Sequence, residues 1–392
     1  MKIVHICLSM GYTEGLNYQE NVMIKYQARD GHEVSLVTTD HCFHEGEWGL
    51  CQTASDYINP DGVHIIRLPF KFHIPYKINK QIGIFKGFYQ VLEELQPEVI
   101  FVHNLQFQDL RTVVRYKKHH PEVKINADNH SDFSNSARNW LSRNTLYRFW
   151  WKPCAKASVK AIDTYYGVMP SRVEFLQNIY GIPGEKTDLL VMGADDEAVE
   201  KAAEPAVKKR VREQYHIGEE DFLIVTGGKI DSFKTQTLLL MEAVRQINDT
   251  REEKNRSVKL LVFGSIEEAL QERFDALCDG HAVQYLGWAK GAQPYEFFGA
   301  ADLVVFPGRH SVYWEQVVAQ GIPMLCKYWN GTTHVDIGGN VRFLKEDSVE
   351  LITREILELV DNPGSYHAMK TAAMSERRSE FSYRQIARKS IS

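Results

Sequence analysis

Long apolar runs are absent from this sequence. No stretch approaches the ~18 uninterrupted apolar residues that a membrane span requires. Cysteine is scarce, with six in 392 residues. Cys7, Cys42, Cys51, Cys154, Cys278 and Cys326 show no CxxC spacing, which reads as reduced thiols in a cytosolic protein. A basic surplus is also missing: the net charge of −5 argues against a general nucleic-acid binder, so no nucleic-acid partner is expected. There are no low-complexity tracts and no repeats at solenoid periods. The opening MKIVHICLSMGYTEG has one Lys and a short apolar run, and reads as a strand rather than a signal peptide. These features together predict a cytoplasmic location.

What is present is ordinary globular composition. Hydrophobic residues make up 44% and charged residues 25%, which excludes disorder, and the length suits two domains of roughly 150–200 residues. Charge is unevenly spread, however. Residues 71–160 hold 15 Lys and Arg against 7 Asp and Glu, leaving −13 for the other 302 residues.

Along the chain, apolar runs alternate with helix-compatible stretches. Residues 2–7, a turn over 9–15, a helix over 19–29 ended by Gly31 and a strand over 33–38 make a βαβ start. Further strands are predicted at 64–68, 99–103, 123–127 and 164–169, with helices at about 80–95, 106–119, 139–162 and 171–180. A second series has strands at 222–227, 259–263, 283–286, 303–306 and 323–326. Two such series predict an α/β protein with two Rossmann-like, doubly wound domains facing across a cleft. A polar linker is predicted between Asp195 and Glu219. The domains are placed at 1–200, joined by a closing helix at about 378–392, and at 201–377.

Two segments carry the strongest chemical signals. In the first, a strand ends at Gly227-Gly228 and continues Lys229-Ile230-Asp231-Ser232-Phe233-Lys234, with a helix predicted to begin near Phe233. Glycines permit close backbone approach and a helix start offers free N–H groups, so two lysines five apart suit a diphosphate; two solvated surface lysines are the plain alternative. In the second, Phe306-Pro307-Gly308-Arg309-His310-Ser311 leads into a helix that Ser311 is expected to cap. Glu315 on that helix either holds the vicinal hydroxyls of a ribose or complements the helix dipole. Gln316 follows it. In the first domain Asp128-Asn129-His130-Ser131-Asp132 follows a strand, so its polar groups face the cleft or simply form an Asn/Asp/Ser turn. His41, Cys42, His44 and Cys51 include metal-ligand residue types, but their spacing fits no standard zinc pattern and no metal is expected.

From these residues the chain resembles the GT-B glycosyltransferases of the large retaining family 4. The likeness runs nearly end to end, through Gly31-His32-Glu33-Val34, Val102-His103-Asn104, Tyr180-Gly181-Ile182-Pro183 with Glu185-Lys186, and Met192-Gly193-Ala194-Asp195. His310 to Gln316, with Tyr18-Gln19-Glu20-Asn21, is similar to a bacterial polysaccharide-assembly subgroup. The resemblance implies a nucleotide-diphosphate-sugar donor held by Gly227, Gly228, Lys229, Lys234, His310, Ser311, Glu315 and Gln316. Gly11, Gly15 and Glu20 would meet the donor phosphates from the first domain. His130 and Asp128 would act at the reacting sugar, with Asp132 and Asn104 on the acceptor. The family's first glutamate, eight residues before the ribose glutamate, is missing: Pro307 stands eight before Glu315 and Gly308 eight before Gln316.

The implied reaction needs no metal or other cofactor, because Lys229, Lys234 and helix N-termini would stabilise the leaving diphosphate. Same-face attack with retention is favoured, since the missing glutamate disfavours double displacement; inversion with Asp128, His130 or Asp132 as base is the other route. The acceptor would be a saccharide or a lipid-linked saccharide for a surface polysaccharide. Arg148, Lys152, Lys156 and Lys160, interleaved with Trp140, Phe149, Trp150 and Trp151, suit peripheral docking on an anionic membrane at its inner face. Two alternatives share the fold: a nucleotide-sugar epimerase and an inactive sugar-binding scaffold subunit.

Overall fold

The computed structural model describes residues 1–44, 47–133, 136, 140, 143–251 and 256–392. They form two compact units, Met1–Met192 with Tyr383–Ser392, and Gly193–Ser382. Unit 1 contains β1 (Lys2–Cys7), β2 (Glu33–Thr39), β3 (His41–His44), β4 (Glu47–Leu50), β5 (Asp56–Ile58), β6 (His64–Leu68), β7 (Val99–Val102), β8 (Lys124–Asn129), β9 (Thr164–Gly167) and β10 (Thr187–Leu189). Its main sheet runs β10-β9-β8-β7-β1-β2-β6-β5, parallel except for β5. Helices cover both faces of such sheets, so central strands need unbroken apolar runs, and Ile3, Val4, Ile6, Ile100, Phe101 and Val102 are buried as that requires.

Unit 2 contains β11 (Phe222–Gly227), β12 (Val258–Phe263), β13 (Val283–Tyr285), β14 (Leu303–Phe306), β15 (Met324–Lys327) and β16 (Val341–Leu344), all parallel, in the order β13-β12-β11-β14-β15-β16. Both sheets reverse strand order beside their first strand: between β1 and β7 in unit 1, and between β11 and β14 in unit 2. Ligands of doubly wound folds bind outside the carboxyl ends of the strands at that point.

Several expectations are corrected. The helix predicted at 80–95 is two helices, Tyr76–Ile82 and Phe88–Leu95, parted by Gly83 and Gly87, which both adopt left-handed φ (61° and 78°). Of the helix predicted at 139–162, residues 139, 141 and 142 lie outside the described residues; Arg143–Trp151 is π-helical and Lys152–Ser158 α-helical. The change comes at Pro153, which tolerates only the first turn of an α-helix. The stretch read as a linker is helical at Asp196–Ala202 and Pro205–Gln214. Asp195 caps the first, accepting the Glu197 N–H at 3.2 Å, and Pro205 starts the second.

The C-terminal helix spans Tyr383–Ile391 and packs Tyr383, Ile386 and Ala387 against Val22, Tyr26 and Phe101 of unit 1. Cys42 and Cys51 are paired as a disulfide with Cα atoms 5.4 Å apart, because the β3–β4 hairpin folds their segments together. That corrects the reading of six reduced thiols and removes it as an argument for compartment. Among the described residues no helix is long and apolar enough to cross a membrane.

Candidate functional sites

In unit 1 the reversal point gathers side chains from three strand ends. Asp128, at the end of β8, is fully buried. Its Oδ1 accepts the Asn104 N–H at 2.8 Å, and its Oδ2 lies 3.2 Å from His103 Nδ1, 3.3 Å from Gln19 Nε2 and 3.4 Å from His130 Nε2. Burial alone would raise this carboxyl's pKa, but His130 and His103 together pull it well below the usual carboxylate range. Asn104 carries φ 63°, a left-handed conformation that Asn tolerates and that turns the chain toward Asp128 at the end of β7.

Behind Asp128 the hydrogen bonds run to the C-terminal helix and fix one another. Gln27 Nε2 donates to the Ala387 carbonyl at 3.1 Å, so the amide oxygen is the atom facing His5 Nε2 at 2.6 Å. His5 therefore carries its hydrogen on Nε2 and accepts through Nδ1. Only a His103 Nε2–H satisfies that nitrogen, 2.9 Å away. His103 Nδ1, on the other side of the ring, lies 3.2 Å from Asp128 Oδ2 and completes the line. Burial, then the neighbouring His103, pushes the His5 pKa down to about 3, consistent with its neutral form.

Glu20, in the first turn of Gln19–Arg29, is buried beside this network, and desolvation raises its pKa against the opposing pull of His103 and His130. Asp132 is held by Arg172, with Nε 3.1 Å from its carboxylate. Gly11 is covered: a Cβ there would meet the Trp48 ring at 2.7 Å, whereas a Cβ at Gly15 would meet nothing within 4 Å. Sequence reasoning missed His5, Gln19, Gln27 and Arg172. The polar His5 inside an apolar strand was the available signal.

In unit 2 a narrow cleft at the β11/β14 reversal is lined by Gly227, Lys229, Lys234, Gly308, Arg309 and Ser311, among others. Residues 231–234 form a turn, with Asp231 Oδ1 accepting the Phe233 N–H at 2.9 Å, so the helix starts at Gln236 instead of Phe233. Desolvation lowers the Lys234 pKa, and the charges of Arg309 and Lys229 add to it against the opposing pull of Asp231. Lys229 is exposed, 3.4 Å from Asp231. Arg309 joins the two lysines as a third cation that the sequence did not single out.

The glycines serve packing as well. A Cβ on Gly227 would lie 2.2 Å from the Phe263 ring, and one on Gly264 would lie 1.8 Å from the Gly228 carbonyl oxygen. Ser311 does not cap the next helix, Tyr313–Ala319, whose N-cap is Val312; its Oγ is 3.5 Å from the Tyr313 N–H. Glu315 is fully buried and its Oε1 accepts from His310 Nε2 and His334 Nε2, both at 2.8 Å. Burial opposes ionisation there, yet the two imidazoles together hold the pKa down to about 2. Glu315 Oε2, Gln316 Oε1, Trp314 Nε1 and His334 Nδ1 are buried with no hydrogen-bond partner among the described residues. Four such atoms around one short helix mark a place where polar ligand groups would be matched.

Among the described residues, His310, Glu315 and His334 form the one group able to converge on a metal ion, with ligand atoms within 4.8 Å of one another. The two 2.8 Å contacts to a single carboxylate oxygen are also what two N–H donors and an ionised acceptor make without an ion.

No family model and no curated protein matches the sequence. Solved structures do match. A glycosyltransferase from Rickettsia africae aligns with TM-score 0.66 at 14% identity over 99% of this chain and 96% of that one. The Anabaena protein Alr3699/HepE, in complex with UDP, aligns with TM-score 0.65 at 15% identity over 99% and 98%. The UDP-GlcNAc 2-epimerase of Neisseria meningitidis, bound to UDP-GlcNAc, aligns with TM-score 0.59 at 11% identity over 99% and 98%. The fold is GT-B. Because transferases and epimerases both align, the GT-B fold leaves the reaction to be argued from residues.

Proposed function

We propose that the protein is a glycosyltransferase that moves a sugar from a nucleotide-diphosphate sugar to a saccharide or lipid-linked saccharide acceptor. The observation that carries this reading is the unit 2 cleft. Lys229, Lys234 and Arg309 gather at the β11/β14 reversal, and burial with like charges already costs Lys234 part of its proton affinity. Such a cluster is relieved by an anion, and a diphosphate leaving group is the anion whose charge grows during glycosyl transfer. Glu315, with one oxygen held by two imidazoles and the other without a partner among the described residues, is suited to a ribose hydroxyl. In unit 1, His130 on the depressed Asp128 carboxylate is suited to the acceptor hydroxyl.

On this reading the reaction belongs to the retaining, metal-independent type of family 4, with same-face attack and a donor phosphate oxygen taking the acceptor proton. The hexosyl class and a role in surface-polysaccharide synthesis follow from the same resemblance. Peripheral docking on an anionic membrane is part of the proposal. Trp140, Phe149 and Trp150 are exposed, at 77%, 82% and 45%, beside Arg148. Trp151 belongs to the core instead.

Thermal shifts with nucleoside diphosphates and nucleotide-sugars test the donor site. A ligand at a hundred times its dissociation constant stabilises by about 2.7 kcal/mol. The shift should disappear in Lys229→Ala, Lys234→Ala and Arg309→Ala. No shift with any donor on folded protein would sink the donor site and leave the scaffold reading. The epimerase is favoured by one observation, the acid–base set of Glu20, Asp128 and His130. Turnover of a nucleotide-sugar without any acceptor would establish it over the transferase.

A further inference from the structure

A cavity of about 470 Å³ lies in unit 1 at the carboxyl ends of β2 and β6, beside the β3–β4 hairpin. Its size falls within the ~300–1,000 Å³ of small-molecule sites. Arg67, paired with Thr38 in the β6/β2 register, lines it. This side chain is only 5% exposed. Its Nη1 donates to the Tyr12 and Thr39 carbonyls at 3.2 and 3.3 Å, and its Nη2 to the Tyr57 hydroxyl at 3.4 Å. Among the described residues its Nε–H has no partner and the guanidinium makes no ion pair.

A buried guanidinium whose direct partners are all neutral is costly, because no charge touches it to compensate for lost hydration. The rest of the lining says what would supply one. Phe43 and Trp48, 41% and 38% exposed, meet edge to face with ring centroids 5.9 Å apart. Aromatic rings of this kind pack on the CH face of a pyranose. Thr13, Gln52 and Thr53 offer hydroxyl and amide groups on the same walls. Glu14 also lines the cavity, its carboxylate against the same Tyr57 hydroxyl that meets Arg67 Nη2, which leaves the Nε–H edge of the guanidinium for a ligand anion.

We infer that this cavity is a subsite for an acidic sugar unit, its carboxylate or phosphate on Arg67 and its ring against Trp48 and Phe43. The inference rests on the glycosyl-transfer reading and deepens it: the acceptor saccharide would carry a negative charge. Arg in this role offers a planar fork that matches either anion, which a lysine would not.

The test is ligand-observed NMR on the full chain with three probes: methyl β-D-glucuronide, glucose 6-phosphate and methyl β-D-glucoside. At least one acidic probe should bind tenfold or more tighter than the neutral glucoside, and whichever does so separates a carboxylate from a phosphate acceptor. Arg67→Gln should abolish that preference. Because Arg67 also ties two loops, Trp48→Ala is the second variant, and it should weaken every probe tenfold or more without unfolding the protein. Equal binding of the three probes, no binding by any, or unaltered binding in Trp48→Ala would overturn the inference. Nucleotide-induced stabilisation is read on the same samples. A nucleotide shift without an acidic-sugar preference defeats this subsite alone. An acidic-sugar preference without any nucleotide shift defeats the transferase reading and leaves the subsite.

Discussion

At the residue scale, the most informative arrangement is the line from the Ala387 carbonyl through Gln27, His5 and His103 to Asp128. From Gln27 to His103 each member dictates where the next carries its hydrogen, so the face His103 turns to His5 is set by a backbone carbonyl in the C-terminal helix. Side-chain ¹⁵N NMR reads this directly. His5 should appear as the neutral Nε2–H form at neutral pH and stay neutral well below pH ~5, since its pKa is about 3. His103 should carry a hydrogen on Nε2. A His5 hydrogen on Nδ1 would break the assignment at its second link, because His103 Nε2 could then no longer donate. Little of this was legible in the sequence. His130, Lys229 and Lys234 stand out in turn-forming or glycine-rich segments beside strand ends, and Asp128 and Glu315 lie within three residues of such segments. His5, Gln27 and Arg67 sit within regular elements, where a polar residue signals only that some partner exists, and the partner is hundreds of residues away or across the sheet.

At the element scale, the strand ends carry the chemistry and the glycines between them set their spacing. Gly264 has φ 129°, and its Cα sits so close to the Gly228 carbonyl that a methyl group has no room. Gly264→Ala should cost roughly 1–3 kcal/mol or more and displace the Gly227–Lys229 turn. Melting curves and nucleotide titrations of the variant check this, with Gly280→Ala as the control, since that position has φ 74° but open space. Loss of nucleotide response in Gly264→Ala and its retention in Gly280→Ala is the expected pattern; equal response in both would mean the glycine contact does not shape the site. Element identity was largely readable, because parallel strands buried on both faces print as apolar runs. Phe222–Gly227 and Leu303–Phe306 fall where they were expected. The β3–β4 hairpin was not seen, since His41 to Leu50 carries scattered polar residues and no alternation, and with it went the disulfide. Helix ends also shifted wherever a side chain closed a local turn, as Asp231 does before Gln236.

On the scale of the whole molecule, the alternation of β and α segments was enough to anticipate two doubly wound sheets, because parallel strands require crossovers and crossovers are helical. Charge distribution adds a prediction. The basic stretch of residues 71–160 exposes Phe72, Ile74, Ile78, Trp140, Phe149 and Trp150. Flotation with vesicles containing phosphatidylglycerol should carry the protein upward at low salt, less at high salt, and not in a Phe149→Ser/Trp150→Ser double variant. Failure to float at any salt would remove membrane docking from the proposed function.

The return of the chain to unit 1 has a consequence for how the protein is made. Residue 192 leaves unit 1, and residue 383 is the next to rejoin it. At ~5–20 residues per second of synthesis, the first-made unit waits about 10–40 s for its last helix. Until then Gln27 lacks the Ala387 carbonyl, and Tyr26 and Phe101 lack Tyr383 and Ile386. The nascent first unit is thus born with an open seam on its sheet, which only residues 383–391 can close. Unit 2 can complete its own sheet while that seam is still exposed, so the unit begun first is the one completed last.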